Sequence, residues 1–124
     1  MKYLAIGPGA MGMFSLAGSI YWLEDQLEEI EEISGSSAGS IIGLFLSLNK
    51  KPQDIIDFLF NVDFLTYYKF KLKNFVSKFG LIEASNAKQL FIDFLGRDPK
   101  FKDLKKKLYI SVYNVNFHKT QYFS

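Results

Sequence analysis

The chain alternates short apolar runs with longer stretches in which apolar residues recur at helical spacing. Residues 3–6 form an apolar run that predicts a buried strand, and residues 13 to about 26 predict a helix. Residues 29–34 alternate isoleucines with acids imperfectly and predict a second strand. Residues 40–48 are apolar enough for a largely buried helix.

The middle of the chain is aromatic and basic. Pro52 suits the first turn of a helix over residues 53–60, and residues 61–79 predict mostly helix. Residues 58–79 interleave six Phe and two Tyr with four Lys, a composition that suits a lipid interface. Core-facing helices with solvated lysines explain the same pattern. Peripheral membrane contact through residues 58–79 is therefore one of two interpretations.

The last third returns to strands. Ser85 or Asn86 can cap a helix that Gly96 ends. Residues 108–112 predict a strand, and residues 121–123 predict the start of its hairpin partner. Strands that alternate with helices in this way predict an α/β fold with a layered sheet.

Composition excludes several classes of protein. An apolar fraction of 48% argues against disorder, and 124 residues suffice for one hydrophobic core. Because the chain has no cysteine and a single histidine, a disulfide framework, a thiolate metal site and a histidine metal cluster are excluded. We therefore expect no metal and no cofactor, and we interpret His118 as an exposed loop residue.

Charge is divided unevenly between the two halves. Residues 1–66 hold three Lys and nine acids, a balance of −6, whereas residues 67–124 hold twelve Lys plus Arg and four acids, a balance of +8. The basic half can attract anionic lipid or nucleic acid, or it is a solvated basic face. Since no RNA-recognition signature is present, we expect no nucleic-acid partner. Glycines break the N-terminal apolar stretch too early for a signal peptide, so the expected location is cytoplasmic, with peripheral membrane contact.

A Gly-x-Ser-x-Gly pentapeptide lies between the second predicted strand and the next helix. Its central residue is Ser37, and the residues around it are all small: Gly35, Ser36, Ala38 and Gly39. The pattern is typical of a nucleophile elbow, in which the serine adopts a strained backbone conformation that needs small neighbours. The helix that follows directs its positive dipole end at the serine. Ser37 is therefore the candidate nucleophile, ahead of Ser36 and Ser40.

A second glycine-rich turn follows the first predicted strand. It consists of Gly7, Pro8, Gly9, Ala10, Met11 and Gly12. Backbone N–H groups of such a loop can converge on a negatively charged oxygen, so these residues are a candidate oxyanion and substrate-binding loop. Two adjacent parallel strands would bring both turns to one edge of the sheet, where open α/β sheets bind ligands.

The glycine spacing of this loop also matches a dinucleotide-binding fingerprint. A Rossmann-like domain places an acid at the end of the second strand. Glu31 and Glu32 are nearby, but Ser34 and Gly35 occupy the end of that strand. The fingerprint also leaves the Gly-x-Ser-x-Gly turn unexplained, so a Rossmann-like domain is the lesser alternative.

With both turns in place, the sequence resembles the patatin-like phospholipase family. Residues 6–12 and 33–39 fit that family's order of strand, oxyanion loop, helix, strand and Gly-x-Ser-x-Gly turn. Residues 113–123 fit its later hairpin more faintly. The resemblance implies a three-layer α/β/α sheet that is incomplete in this chain. It also implies that residues 1–124 are the N-terminal portion of a single patatin-like phospholipase domain.

The resemblance further implies a serine acyl hydrolase acting on lipid esters (phospholipid or acylglycerol) through a Ser–Asp dyad. By position, Ser37 would be the nucleophile beside the oxyanion loop. Pro8 and Met11 depart from the glycine and the basic residue that the family has there. The family's aspartate precedes a glycine, and none of the seven Asp in this chain does. We expect a fragment or a chain that has lost the aspartate; the alternative function is an inactive relative that binds lipid or a partner protein.

Overall fold

The fold is built on a four-stranded sheet whose strands follow one another in chain order. A computed structural model describes residues 2–9, 12–62 and 84–124. The strands are β1 (Tyr3–Ile6), β2 (Glu32–Ser36), β3 (Lys107–Asn114) and β4 (Lys119–Phe123). β1, β2 and β3 are parallel, and β4 returns antiparallel beside β3. The predicted α/β sheet is confirmed.

Helices join the parallel strands within the first of two units, which comprises residues Met1–Phe60 and Pro99–Ser124. They are α1 (Met13–Trp22), α2 (Ala38–Ser47) and α3 (Pro52–Asn61), with 3₁₀ helices at Glu24–Glu29 and Phe101–Asp103. α2 contacts all three parallel strands and α1. Gly43 permits this packing, because a Cβ at that position would lie 3.1 Å from Leu108 Cδ1.

The second unit, Asn61–Asp98, contains α4 (Ala84–Leu95) among its described residues. Gly96 follows the helix with φ of 73°, a left-handed conformation that glycine adopts readily at a helix end. The prediction that Gly96 ends this helix is confirmed. Ser85 and Asn86, the predicted caps, lie within the described helix rather than before it.

α2 provides the centre of the hydrophobic core of the first unit. Phe45 is 0% exposed, and Ile42, Ile33 and Leu108 are buried with it. The ring of Phe45 meets Phe58 of α3 edge to face, with centroids 5.4 Å apart and an interplanar angle of 84°. Such aromatic pairs stabilise a core by about 0.5–1.5 kcal/mol beyond the area that they bury.

The two faces of the sheet differ in burial. Ile33 and Gly35 of β2 face α2 and are buried, whereas Ala5 and Ser34 on the opposite face are exposed. Helices on both faces are the expectation of a three-layer sheet. Within the described residues of the first unit, α2 covers one face and the face that carries Ser34 remains open.

Two predicted boundaries are wrong at the turn between α1 and β2. α1 ends at Trp22 rather than near Gln26, because residues Glu24–Glu29 tighten into a 3₁₀ helix. β2 consequently starts at Glu32, and Ile30 is buried ahead of the strand rather than within it. Ile30, before the strand, and Ile33, within it, are therefore both buried although their local structures differ. Hydrophobic periodicity alone cannot separate these two structures.

The interpretation of residues 58–79 as a membrane-contacting stretch lies largely outside the described residues, which stop at residue 62 and resume at residue 84. At its start, Phe58 is buried in the core and Phe60 is exposed. The ring of Phe60 lies 5.3 Å from that of Phe14. Among the helices described here, none has the length and apolarity needed to cross a bilayer.

We predict that Phe45→Ala lowers the free energy of unfolding by about 3–5 kcal/mol, because it opens a cavity under α2. Trp22→Ala is the control, since Trp22 is 82% exposed, and it should change that free energy by less than about 0.5 kcal/mol. Urea denaturation of both variants measures the difference. Equal midpoints for the two variants would contradict the central position of α2 in the core.

Candidate active site

Ser37 occupies the sharp turn between β2 and α2. Its φ of 52° and ψ of −124° lie outside the regions that residues with side chains favour, and its side chain is exposed. The turn closes through the N–H of Ser40, which donates to the carbonyl oxygen of Ser37 at 2.9 Å. A non-glycine residue held at positive φ next to a helix N-terminus is the backbone geometry of a nucleophile elbow.

Two glycines make this turn sterically possible. A Cβ on Gly35 would lie 2.6 Å from the carbonyl oxygen of Gly39 and 2.7 Å from Cα of Ser40. Both neighbours are backbone atoms, so the end of β2 could not lie this close to the first turn of α2 with any side chain at position 35. Ala38 is buried beside them.

The start of α2 also contacts the end of β1. A Cβ on Gly39 would collide with the carbonyl oxygen of Ile6 and lie 2.6 Å from that of Gly7. Ile6 pairs with Gly35 in the parallel ladder between β1 and β2. The Ser37 turn and the beginning of the glycine loop therefore meet at one edge of the sheet.

The glycine loop itself is described in part. Gly7, Pro8 and Gly9 leave β1, and Gly12 precedes α1 with its N–H donated to the carbonyl oxygen of Gly9. The predicted loop residues Ala10 and Met11 lie outside the described residues. The described part places the loop at the N-terminus of α1, where helix dipole and backbone N–H groups favour a negative charge.

A cavity of about 230 Å³ lies on the open face of the sheet beside this edge. Its lining combines strand ends with two tyrosines and includes Gly7, Ser36, Ser111, Tyr109 and Tyr122. At the opposite end of β3, a hydrogen bond between Lys107 and Tyr109 raises the pKa of Lys107 above its usual value. The tyrosines were not predicted as site residues. The alternation of inward and outward side chains along the predicted strand 108–112 was the signal that could have placed Tyr109 on the open face.

Two aspartates of the first unit lie toward the opposite edge of the sheet from Ser37. Asp25 lies in the 3₁₀ helix before β2, and Asp103 lies in the one before β3. Both therefore sit near the amino ends of strands, whereas the Ser37 turn follows the carboxyl end of β2. His118 is exposed in the turn between β3 and β4, as expected for a loop residue.

The alternative site residues fit this geometry less well. Ser36 is half-buried and pairs with Ser111 inside the sheet, and Ser40 is half-buried in the first turn of α2. For the dinucleotide-binding alternative, Glu31 precedes β2 and Glu32 begins it. These acids lie at the wrong end of the strand to meet a ribose beside the glycine loop.

Comparison with known proteins gives two similarities. A family model described as patatin-like phospholipase matches residues 4–122. An uncharacterized protein of Acanthamoeba polyphaga mimivirus is 29% identical over 136 residues, which cover 100% of this chain and 46% of the viral protein. The chain thus spans about half the length of this curated relative.

We predict that Gly39→Ala lowers the free energy of unfolding by roughly 1–3 kcal/mol, because the added methyl group must push α2 away from the end of β1. The matched control is Gly18→Ala. Gly18 lies in α1, and a Cβ added there would meet nothing within 4 Å, so the same change should raise stability by about 0.5–1 kcal/mol. Chemical denaturation measures both, and a stabilising Gly39→Ala would disprove the close contact.

Proposed function

The chain belongs to the patatin-like phospholipase family, and from that premise we propose that Ser37 is the nucleophile of a serine acyl hydrolase acting on lipid esters. The observation that carries the proposal is the exposed serine at φ of 52°, held between β2 and α2 beside the glycine loop. A strained serine costs of order 1–3 kcal/mol, so such a residue is more typical of a functional turn than of a structural one.

The proposed reaction has two steps. Ser37 Oγ attacks the carbonyl carbon of the ester, its proton passes through a base to the leaving alcohol, and an acyl-enzyme forms. Water then attacks the acyl-enzyme with the same base taking its proton, and the fatty acid leaves as Ser37 regains its hydroxyl. In this proposal Ser37 is the nucleophile, and the base is the remaining group that both steps require.

The glycine loop is the proposed oxyanion hole. Gly7 and Gly9 carry backbone N–H groups, whereas Pro8 has none and cannot donate. The N-terminus of α2 adds a positive dipole end next to Ser37. In acyl-transfer enzymes, loss of one such donor costs about 10²–10³ in turnover, so the substitution of glycine by Pro8 reduces the number of ways in which the loop can bind an oxyanion.

An aspartate is the proposed base, following the dyad of the family. Asp25 and Asp103 lie by the amino ends of β2 and β3, and no Asp of the sequence precedes a glycine. We therefore propose that full activity needs a carboxylate other than those of Asp25 and Asp103. The same observation favours the second candidate function, an inactive relative that binds lipid or a partner protein.

We predict that, in a form of the protein that supplies the base, a fluorophosphonate modifies Ser37 ahead of the other serines, because Ser37 combines exposure with the turn geometry. Peptide mapping by mass spectrometry locates the label. Ser37→Ala should abolish it, whereas the neighbouring Ser36→Ala should retain it. A label that survives Ser37→Ala would remove the assignment of the nucleophile.

We further predict that the 124 residues alone hydrolyse a short-chain p-nitrophenyl ester about 10²–10⁴ times more slowly than a longer form that supplies the aspartate, which is the usual contribution of a general base. Initial rates of both forms, each with its Ser37→Ala variant as background, measure the ratio. Equal Ser37-dependent rates would contradict the need for a further carboxylate. A longer form without Ser37-dependent hydrolysis would favour the inactive relative.

A further inference from the structure

The turn between β3 and β4 projects beyond the edge of the sheet that carries Ser37. We call residues 115–118 the hairpin tip. In the ladder Ser36 pairs with Ser111, and β3 continues for three more residues to Asn114 before the tip begins. At about 3.3 Å per residue, the tip lies roughly 10 Å further along the strand direction than the end of β2.

The hairpin tip exposes apolar side chains where turns usually carry polar ones. Val115 is 69% exposed and Phe117 is 68% exposed. Turn positions favour Gly, Pro, Asn, Asp and Ser, because these residues satisfy turn geometry and contact water at little cost. Two large apolar side chains on one protruding turn form a convex apolar surface.

The tip is held in one conformation. The side-chain oxygen Asn114 Oδ1 accepts hydrogen bonds from the N–H of Asn116 at 3.1 Å and of Phe117 at 3.2 Å. Asn114 Nδ2 in turn donates to Gln121 Oε1 at 2.8 Å across the hairpin. His118 completes the turn with φ of 49°. The apolar side chains are therefore preorganised for contact, which lowers the entropy lost on binding.

Charge around the tip identifies the kind of partner. Residues 108–124, which comprise most of β3, the tip and β4, contain one Lys, Lys119, and no acid. The ammonium of Lys119 lies 5.8 Å from the centroid of the Phe117 ring. Tyr113, the last residue of β3 before Asn114, is also exposed. An exposed aromatic ring with an ammonium group beside it, on a segment that carries no acidic side chain, matches the interface of an anionic lipid bilayer, where rings enter the headgroup region and ammonium groups meet phosphate.

We propose that the hairpin tip inserts Val115 and Phe117 into the headgroup region of an anionic lipid surface. Insertion at this position turns the Ser37 edge of the sheet toward the membrane. The inference goes beyond the proposed function, since lipid contact by the tip does not depend on the chemistry of Ser37. It also differs from membrane contact through residues 58–79.

The first experiment places a fluorophore at the tip of the full chain. F117W and F101W are each made in a Trp22→Phe background, and Phe101, which is 44% exposed, lies before β3 near the opposite edge of the sheet. Phosphatidylcholine vesicles with phosphatidylglycerol should shift the emission of F117W to shorter wavelength, and brominated lipid should quench it. F101W should show neither effect.

Three outcomes of this experiment would overturn the inference. The first is an unchanged emission of F117W, and the second is equal quenching of F101W, which would move lipid contact to the basic segment before β3. The third is a shift of F117W with protein concentration in the absence of vesicles, which would identify a second copy of the chain as the partner.

The second experiment measures affinity. The double variant V115S/F117S should bind phosphatidylglycerol-containing vesicles at least about tenfold more weakly in co-sedimentation, because burial of a Phe side chain alone accounts for that factor. Phe101→Ser should bind as the unaltered chain does. Urea midpoints confirm that each variant is folded, and equal binding by the folded double variant and Phe101→Ser would refute insertion of the tip.

Ser37→Ala separates the inference from the proposed function. It should bind vesicles as tightly as the unaltered chain, because the tip is intact. If vesicle binding depends on the tip while no form of the protein shows Ser37-dependent ester hydrolysis, the proposed function fails and the lipid contact stands. If hydrolysis depends on Ser37 while the tip substitutions leave vesicle binding unchanged, the proposed function stands and the lipid contact by the tip fails.

Discussion

The candidate site depends on one close backbone contact, between Gly39 at the start of α2 and the carbonyl oxygens of Ile6 and Gly7 at the end of β1. There is no room for a side chain between them. Because protein interiors are close-packed, such a contact cannot loosen gradually; the helix either lies against the strand end or moves away from it. The contact therefore holds the Ser37 turn and the glycine loop at one edge of the sheet.

The sequence was sufficient to single out the candidate turn but not to define its contacts. Ser37 could be selected because glycines at positions 35 and 39 flank it between a strand and an apolar helix, and the structure gives that serine a positive φ. Which atoms those glycines approach could not be predicted. Gly39 lies against Ile6 and Gly7, more than thirty positions earlier in the chain. This contact depends on the pairing of β1 with β2, which local sequence patterns do not specify.

The order of strands and helices was predictable from local sequence patterns, whereas the start of β2 was not. β1 was predicted at its observed residues, because an apolar run followed by glycines has few alternatives. Before β2, the ammonium of Lys106 donates to the carbonyl oxygens of Leu27 at 2.9 Å and Ile30 at 2.8 Å. These bonds hold the end of the 3₁₀ helix from a residue 76 positions beyond Ile30, so no local pattern contains them.

The composition of α2 explains how the chain tolerates a strained residue at the site. A backbone conformation such as that of Ser37 costs of order 1–3 kcal/mol. Directly after it, α2 buries Ile42, Phe45 and Leu46, and complete burial of each such side chain stabilises the fold by about 1.5–3 kcal/mol. The helix that fixes the turn thus offsets its strain several times over. An amphipathic surface helix, which buries one stripe only, would hold the same turn less firmly, and this accounts for a helix after Ser37 that is apolar on nearly all sides.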